Sequence, residues 1–488
     1  MSRLSPTSWL TTKTFFAQVF GLLLFAIQAP ILGPRAFGLV SIVMVFVGFC
    51  ETVLCEAAAE SLISIRRIDN GHFSAMNAAN VLIALLCGAI VFAGAPSYAQ
   101  LFHDAQLVPI LRWMAVLPLL SALAAVPTAA TKRDMQFQPL ALRSILSVFV
   151  GGIVGLVLTL TGAGVWALVW QAIVTRLVAA VVLWWMVPVP FRLVMSARHL
   201  GDLVTFALPT LLSRTMIWIT GQTPRLLLGL YWGPVELGLF SLAGRLTDII
   251  LEITVVPRYA AARVELRQFA DDPVGLQRAT GNLLRNMSVY CFPICMGGIA
   301  AAPALFHAWL DPRWYGGIVP AQLLLLMCVA FTTHYCIGAA LLALNQQRAE
   351  ALTSVVQTVI TVIVVVGSAP FGLVPATAAY AGRPILLLPL PVALLARKGA
   401  VPASTVLRAQ LPVLLIASLM GAAVWLLRLI LEPLVNSVVL LGLLGVFGAV
   451  VYVGLVLKFL PDAAAPYRHF LRRRGPAASQ SQSDGATV

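Results

Sequence analysis

The segment Gly33-Pro34-Arg35-Ala36-Phe37-Gly38-Leu39-Val40-Ser41 recurs 200 positions later as Gly233-Pro234-Val235-Glu236-Leu237-Gly238-Leu239-Phe240-Ser241, with five of nine positions identical. Each copy joins two long apolar runs, where glycine and proline favour a tight turn. Ala95-Pro96 and Ala302-Pro303 also correspond, at an offset of 207. The repeat predicts two related halves of six helices each. An even number of helices per half makes the halves parallel, related by an axis along the membrane normal.

The composition is that of a polytopic membrane protein. Of 488 residues, 60% are hydrophobic and 10% charged, and the mean hydropathy is +0.94. Soluble proteins average roughly 45–50% apolar and about 25% charged residues. These figures exclude an ordinary soluble enzyme, a disordered chain and a secreted disulfide scaffold. The seven cysteines are scattered in apolar runs without a CxxC pair, so neither a metal site nor a disulfide framework is predicted.

Fourteen runs are long and apolar enough to span a bilayer, which takes about 20 residues. They predict an all-α membrane protein of fourteen transmembrane helices. We divide it into an N-terminal six-helix bundle (1–202), a C-terminal six-helix bundle (203–400), two additional helices (401–460) and a polar, disordered tail (461–488). The runs are 14–32, 36–58, 77–97, 110–130, 143–161, 165–187, 203–222, 235–257, 286–306, 318–342, 351–368, 371–395, 410–430 and 434–457.

The distribution of basic residues predicts the orientation. If both termini lie on one side with the loops after even-numbered helices, that side holds 23 of the 32 lysines and arginines. By the positive-inside rule both termini are then cytoplasmic, and most of the net charge of +14 reflects topology. Arg35 and Arg225 are expected to guard the outer mouth of a central cavity. The opposite side holds five basic residues, which are Arg35, Arg112, Arg225, Arg313 and Arg428.

Four arginines fall in neither group: Arg176, Arg214, Arg245 and Arg383. At 1.5 Å per residue each lies about 15–18 Å into its run, near the middle of a hydrocarbon core about 30 Å thick. An arginine there costs at least about 2.5–3.5 kcal/mol. Each therefore faces a wet cavity or is neutralised by a carboxylate as part of the packing, and the sequence leaves both readings open.

Three acids are available at depth: Glu51 on helix two, and Asp248 and Glu252 on helix eight. Arg245, Asp248 and Glu252 are spaced by three and four residues and share one helix face, so the two acids are expected to position Arg245. Arginines outnumber acids, which predicts a cationic cavity for an anionic substrate. Guanidinium groups bind phosphate in two-pronged fashion.

Two segments carry a resemblance to a known family. LGPRAFGLVSIVMVFVGFCE (32–51), and 126–169 with Arg133, Phe137 and the turn Gly162-x-Gly164-x-Trp166-Ala167, resemble the lipopolysaccharide and exopolysaccharide exporters of the MOP superfamily. The resemblance covers about 1–400. It implies two six-helix bundles facing each other across a central cavity lined by helices one, two, seven and eight.

The resemblance also implies a function. By alternating access, such a flippase carries an undecaprenyl-pyrophosphate-linked oligosaccharide outward across a bacterial inner membrane. The positions that match the family's pyrophosphate-binding arginines by helix are Arg214 and Arg245. One departure is the acidic end of helix two, with Glu51, Glu56 and Glu60 where relatives carry small neutral residues. Expected partners are the lipid-linked substrate, membrane lipids and polysaccharide polymerase or chain-length machinery, without nucleic acid.

Two alternatives stand beside this reading. A MATE-type drug or cation exporter would want acids to dominate the cavity. A membrane enzyme of polysaccharide assembly, either a polymerase or a glycosyltransferase, would carry a large outer loop or an acidic loop, and neither is visible. No P-loop, HExxH or GxSxG motif is present, so neither an enzyme nor a cofactor is predicted.

Overall fold

The computed structural model describes residues 6–65, 68–187, 196–397 and 401–460, and these are helices joined by short connections, without a β-strand. The predicted tail and the basic residues at 66–67 lie outside the described residues. The elements are α1 (Pro6–Phe49), a π-helix (Cys50–Glu56), α2 (Ala57–Ala59), α3 (Ser61–Ser64), α4 (Asn70–Leu101), α5 (Leu107–Met114), α6 (Leu117–Arg133), α7 (Phe137–Leu160), α8 (Val165–Met186), α9 (Ala197–Thr254), α10 (Val256–Arg267), α11 (Pro273–Trp309), a 3₁₀ turn (Pro312–Gly317), α12 (Ile318–Ala343), α13 (Gln347–Ser368), a 3₁₀ turn (Ala369–Phe371), α14 (Leu373–Leu387), α15 (Pro389–Arg397), α16 (Ala403–Leu431) and α17 (Ser437–Phe459).

Twelve helical segments in these ranges are long and apolar enough to cross a membrane, and each of the fourteen predicted runs overlaps a helix. Two of the twelve segments, Thr14–Ile63 and Thr210–Thr254, each overlap two of the predicted runs. Many large apolar side chains point away from the protein, among them Trp185 and Phe371. Exposed apolar surface is typical of a membrane or protein contact, so this surface is suited to lipid.

α1 is a hairpin rather than one straight helix. Gly33, at φ 71° and ψ 170°, leaves the helical conformation. The rings of Phe25 and Phe37 lie 4.9 Å apart between centroids, whereas twelve residues of straight helix would separate them by about 18 Å. The chain therefore turns back at Gly33. A positive φ favours glycine at this position.

α9 repeats this hairpin at Gly233, whose φ is 79° and ψ is −170°. Arg225 Nη2 and Asp248 Oδ2 are 3.9 Å apart, although a straight helix would place the two residues about 34 Å apart. The predicted tight turns at 33 and 233 thus both occur, at the glycine of each repeated segment.

The two repeated segments cross each other in close backbone contact. A β-carbon added to Gly38 would overlap the carbonyl oxygen of Pro234, and one added to Gly238 would overlap that of Pro34. One turn further along, the hydroxyls of Ser41 and Ser241 lie 3.0 Å apart. The absence of side chains on both glycines lets the hairpins touch backbone to backbone, so each copy of the repeat binds the other.

Aromatic packing seals the same end of the molecule, which we call the Gly-Pro end (the end that carries Gly33 and Gly233). Trp314 is fully buried there, and its indole Nε1 donates to the carbonyl of Ala29 at 3.0 Å. Its ring also contacts that of Phe37, 5.7 Å away between centroids. Fully burying a large apolar side chain stabilises the folded state by about 1.5–3 kcal/mol.

The opposite end, which we call the loop end, carries the first turns of α4 and α9 and the last turn of α6. Asp69 caps α4 by accepting the backbone N–H of His72 at 3.0 Å. The His72 side chain also hydrogen-bonds the carboxylate and, with the backbone bond, lowers the pKa of Asp69 to about 2. The last two helices, α16 and α17, pack on α11, where Tyr452 donates its hydroxyl to the carbonyl of Val289.

The crossing predicts an unequal response to two glycine substitutions on α1. Gly38→Ala should lower the free energy of unfolding by about 1–3 kcal/mol or more, because the added methyl meets backbone that cannot move aside. Gly48→Ala is the matched control, since a β-carbon there meets nothing within 4 Å and alanine favours a helix by about 1 kcal/mol over glycine. Thermal unfolding in detergent compares them, and equal melting temperatures would contradict the tight crossing.

Candidate functional site

A cavity of about 290 Å³ lies between the two hairpins, beneath the Gly-Pro crossing. The α1 hairpin contributes mainly apolar walls, including Phe25 and Met44. The α9 hairpin contributes the charges, which are Arg225, Arg245 and Asp248. We call this cavity, lined by these five residues, the central cleft. Two cations face one carboxylate in it, so its charge favours an anion.

Arg245 crosses the cleft from α9 to α1. Its Nη2 donates to the carbonyl of Gly21 at 3.0 Å, and its guanidinium lies 5.4 Å from the centre of the Phe25 ring. A β-carbon at Gly21 would come within 2.9 Å of Nη2, so the glycine leaves room for the guanidinium. Among the described residues Arg245 has no carboxylate within 4 Å. A carbonyl and a ring stabilise its charge only partly, and several of its donors stay open to a ligand.

Arg225, which the sequence predicts at the outer mouth, lines the central cleft. The α9 hairpin brings it opposite Asp248, 3.9 Å from the carboxylate, and its Nη1 donates to the side chain of Gln222 at 3.0 Å. Eight residues separate Arg225 from Gly233, which is about 12 Å of helix. Hydropathy ends this run at 222, whereas the helix continues past Arg225.

The expected cluster of Arg245, Asp248 and Glu252 forms differently in the structure. Asp248 pairs with Arg225, and Glu252 accepts a hydrogen bond from the side-chain amide of Gln18 on α1. The three residues do share one face of α9, as their spacing requires. Side chains on one face nonetheless bind partners on the facing helices, and those partners are set by the tertiary fold.

Arg214 lies near the loop end, away from the central cleft. Its Nη2 binds both carboxylate oxygens of Glu60, at 3.0 and 3.1 Å, and Lys132 Nζ is 3.4 Å from the same carboxylate. Lys132 is in the last turn of α6. The midplane depth of Arg214 stays a prediction. Its helix begins at Ala197, and about 28 Å of helix separate it from Gly233.

A second cavity, of about 460 Å³, lies within the N-terminal half. Arg176 reaches it from α8 and binds Glu51 with two prongs, Nε to Oε1 at 3.2 Å and Nη2 to Oε2 at 3.4 Å. Ser121 donates to the same carboxylate at 2.5 Å. Glu51 is 4% exposed and belongs to the π-helix, a distortion often found at functional positions. Arg176 is thus neutralised within the packing.

The same cavity holds charged residues that the sequence assigned to the loop face. Arg143 donates to the Thr128 hydroxyl at 2.9 Å, and Glu56 and Glu60 also line the cavity. The position of Arg143, six residues into α7, could have indicated that it is not a loop residue. Acids and bases balance here, so this cavity lacks the net positive charge of the central cleft.

Arg383 is enclosed in the C-terminal half. It is 3% exposed, and it donates to the Thr361 hydroxyl. Its guanidinium lies 4.8 Å from the centre of the Tyr380 ring and 5.9 Å from that of Phe331. It lines a separate cavity of about 440 Å³ together with His334. The structure therefore does not bring Arg383 to the central cleft.

Arg35 lies at the Gly-Pro end, two residues after Gly33. It pairs with Asp104 at 2.5 Å while its own side chain is half exposed. Arg313 lies at the same end and donates to the carbonyl of Pro30 at 3.0 Å. Hydrogen bonds from the backbone and side chain of Arg313 also lower the pKa of Asp311.

Comparison with known proteins identifies the family. A family model described as "Polysaccharide biosynthesis protein" matches residues 27–319, which is more than half of the chain. The chain belongs to this polysaccharide biosynthesis family. The resemblance seen in the sequence is thereby confirmed.

The chain is also similar to the succinoglycan biosynthesis transport protein ExoT of Rhizobium meliloti (strain 1021). The two are 28% identical over 223 residues, which is 46% of this chain and 45% of ExoT. The match thus spans less than half of that relative's length.

Solved structures share the fold. The lipid II flippase MurJ in an inward closed conformation superposes with a TM-score of 0.75 at 14% identity, covering 95% of this chain and 99% of MurJ. An inward-facing MATE family transporter of the MOP superfamily gives 0.60 at 15% identity, over 78% of this chain and 94% of that one. An outward-facing MATE transporter gives 0.51 at 15% identity, over 81% and 96%. The all-helical MurJ- and MATE-like fold is therefore confirmed.

Proposed function

We propose that this protein is a flippase that moves undecaprenyl-pyrophosphate-linked oligosaccharide units outward across the bacterial inner membrane, for exopolysaccharide or lipopolysaccharide synthesis. The observation that carries the proposal is the central cleft, where Arg225 and Arg245 face each other with Asp248 as the single acid. The polysaccharide family and the ExoT relative support the class of substrate. Translocation breaks no covalent bond, so the protein acts as a carrier and not as an enzyme.

The architecture we propose has fourteen crossings. Twelve membrane-length segments, two of them hairpins at Gly33 and Gly233, support that number. The mutual contact of the two repeated segments supports two six-helix bundles related by a pseudo-two-fold axis, with α16 and α17 added. The excess of basic residues at the loop end supports cytoplasmic termini, and the Gly-Pro end is then the outer end.

In the proposed mechanism the pyrophosphate enters the central cleft and binds both arginines. Two guanidinium groups can each offer a pair of N–H donors to phosphate oxygens. Arg225 is only 3.9 Å from Asp248, a loose pairing that a diphosphate can replace. Arg245 already lacks a carboxylate partner among the residues described. The sugar then occupies the space between the bundles, and the lipid chain stays in the membrane.

Alternating access follows from the contacts at the two ends. The Gly-Pro crossing and the buried Trp314 close the outer end. At the loop end the two halves are joined by the Arg214–Glu60 ion pair, with both side chains partly exposed, and by His199 of α9 against Asp69 and His72. An exposed ion pair is worth about 0–1 kcal/mol, so we propose that it opens first. The bundles then rock the other way. The loop-end contact forms again, and the Gly-Pro crossing separates to open the outer end.

A cation exporter of the MATE type is the second candidate, supported by the fold and by the acids of the N-terminal cavity. Two of these acids are engaged, however. Glu51 is bound by Arg176, and Glu60 by Arg214 and Lys132. Among them only Glu56 has no ion pair within 4 Å in the part of the chain that the structure describes. The charge of the central cleft therefore favours the flippase.

The orientation is testable with single cysteines, because the seven native cysteines are buried. Gln106→Cys and Met135→Cys introduce thiols at exposed positions of the outer and loop ends. In spheroplasts a membrane-impermeant maleimide should label position 106 directly and position 135 only after permeabilisation. The reverse pattern would overturn cytoplasmic termini.

The substrate proposal predicts loss of flipping in cleft variants. In proteoliposomes with a fluorescent polyprenyl-pyrophosphate oligosaccharide, Arg225→Gln and Arg245→Gln should each slow flipping by about 10–100-fold, since a hydrogen bond to a charged group is worth about 1.5–3 kcal/mol. The matched control is Arg112→Gln, an exposed arginine over the Phe92 ring and outside the cleft. Wild-type rates in both cleft variants would sink the proposal, and uptake of an organic cation instead would favour the exporter.

A further inference from the structure

A cluster of metal-binding side chains lies at the loop end, far from the central cleft. Asp69, His72 and His199 each offer a ligand atom, and these atoms lie within 4.8 Å of one another. His72 is in the first turn of α4 and His199 in the first turn of α9. Two helices that are distant in sequence therefore contribute to one small site.

The spacing of the donor atoms is close to what zinc requires. Donors about 2.0–2.1 Å from a tetrahedral zinc ion lie about 3.3 Å apart. His72 Nδ1 is 2.8 Å from Asp69 Oδ1, and His199 Nε2 is 3.5 Å from Asp69 Oδ2. All three donor atoms lie within 4.8 Å of one another, so rotation of the side chains would bring them onto one ion.

The His199 nitrogen that faces away from the cluster, Nδ1, is hydrogen-bonded, as is usual for a histidine that binds a metal through its other nitrogen. Its Nδ1 lies 2.8 Å from the Ser196 hydroxyl. A hydrogen bond on Nδ1 fixes the orientation of the ring and directs the lone pair of Nε2 toward the ion. In this cluster that direction is toward Asp69.

The backbone leaves room for this approach. A β-carbon at Gly71 would lie 2.6 Å from Cε1 of His199, so a side chain there would push the imidazole away. The two imidazole rings meet edge to face with centroids 4.5 Å apart. His72 is almost fully enclosed and His199 largely so, whereas Asp69 is open to solvent, which gives an ion a path of entry.

We propose that Asp69, His72 and His199 form a binding site for a divalent transition-metal ion of the zinc class. Two imidazoles and one carboxylate suit zinc and disfavour Mg²⁺, which prefers oxygen ligands in octahedral geometry. Water would complete the tetrahedron, as in zinc sites with three protein ligands. The ion ties the start of α4 to the start of α9. If the flippase proposal holds, it fastens the loop end closed, but metal binding itself does not depend on that proposal.

Binding is measured directly, on full-length protein purified in detergent without a polyhistidine tag. Titration with Zn²⁺ should give one site per chain, and saturating Zn²⁺ should raise the melting temperature by roughly 2–5 °C, whereas Mg²⁺ should not. His199→Gln should weaken zinc binding by at least about tenfold. His103→Gln is the control, because His103 is exposed and lies at the Gly-Pro end.

A second variant separates metal binding from helix capping. Asp69→Asn keeps a side-chain oxygen to cap α4, which asparagine does as well as aspartate, but it removes the anionic ligand. It should retain the melting temperature of the metal-free protein and lose the rise caused by Zn²⁺. Absence of zinc binding by the unaltered protein, or equal affinity in His199→Gln, would overturn the proposal.

Discussion

The backbone contact between the two Gly-Pro segments is the constraint on which the rest of the structure depends. Gly38 meets the carbonyl of Pro234 and Gly238 that of Pro34, so the two hairpins cross without side chains between them. Because the hairpins touch there, they diverge beneath, and the central cleft with Arg225 and Arg245 opens in that space. A larger residue at either glycine would separate the hairpins and change the cleft.

The arginines within the helical bundle are each stabilised by different contacts. Arg176 binds a buried carboxylate, and Arg383 relies on a hydroxyl and aromatic rings. Arg245 has a carbonyl and one ring, which leaves most of its hydrogen-bonding capacity unused. Since an arginine at the bilayer centre costs at least about 2.5–3.5 kcal/mol, an arginine with unused donors that lines a cavity between the two hairpins indicates a ligand site. Arg245 lines the central cleft in this way.

The sequence predicted the helical class, the hairpin turns at Gly33 and Gly233, and the family, because these depend on local composition and on a repeated motif. Of the arginines that it predicted for a cavity or its mouth, Arg245 and Arg225 line the central cleft, whereas Arg214 binds Glu60. Hydropathy marks where apolar residues begin and not where a helix begins, and α9 starts at Ala197 with a polar first turn. A side chain can also bind a partner on another helix, as Arg176 binds Glu51. Such pairs depend on how the helices pack, and residue spacing within one helix does not predict them. The histidines of the loop-end cluster lie on different helices, so the sequence predicted no metal site.

The most direct test of an outer end closed by the Gly-Pro crossing is a reversible crosslink across it. The hydroxyls of Ser41 and Ser241 are 3.0 Å apart, so Ser41→Cys with Ser241→Cys should form a disulfide that holds the crossing shut. Oxidised protein in proteoliposomes should then stop flipping lipid-linked oligosaccharide, and reduction should restore it. Ser41→Cys alone should be insensitive to oxidation. If the crosslinked protein flipped at the wild-type rate, the claim that the crossing separates to open the outer end would be wrong.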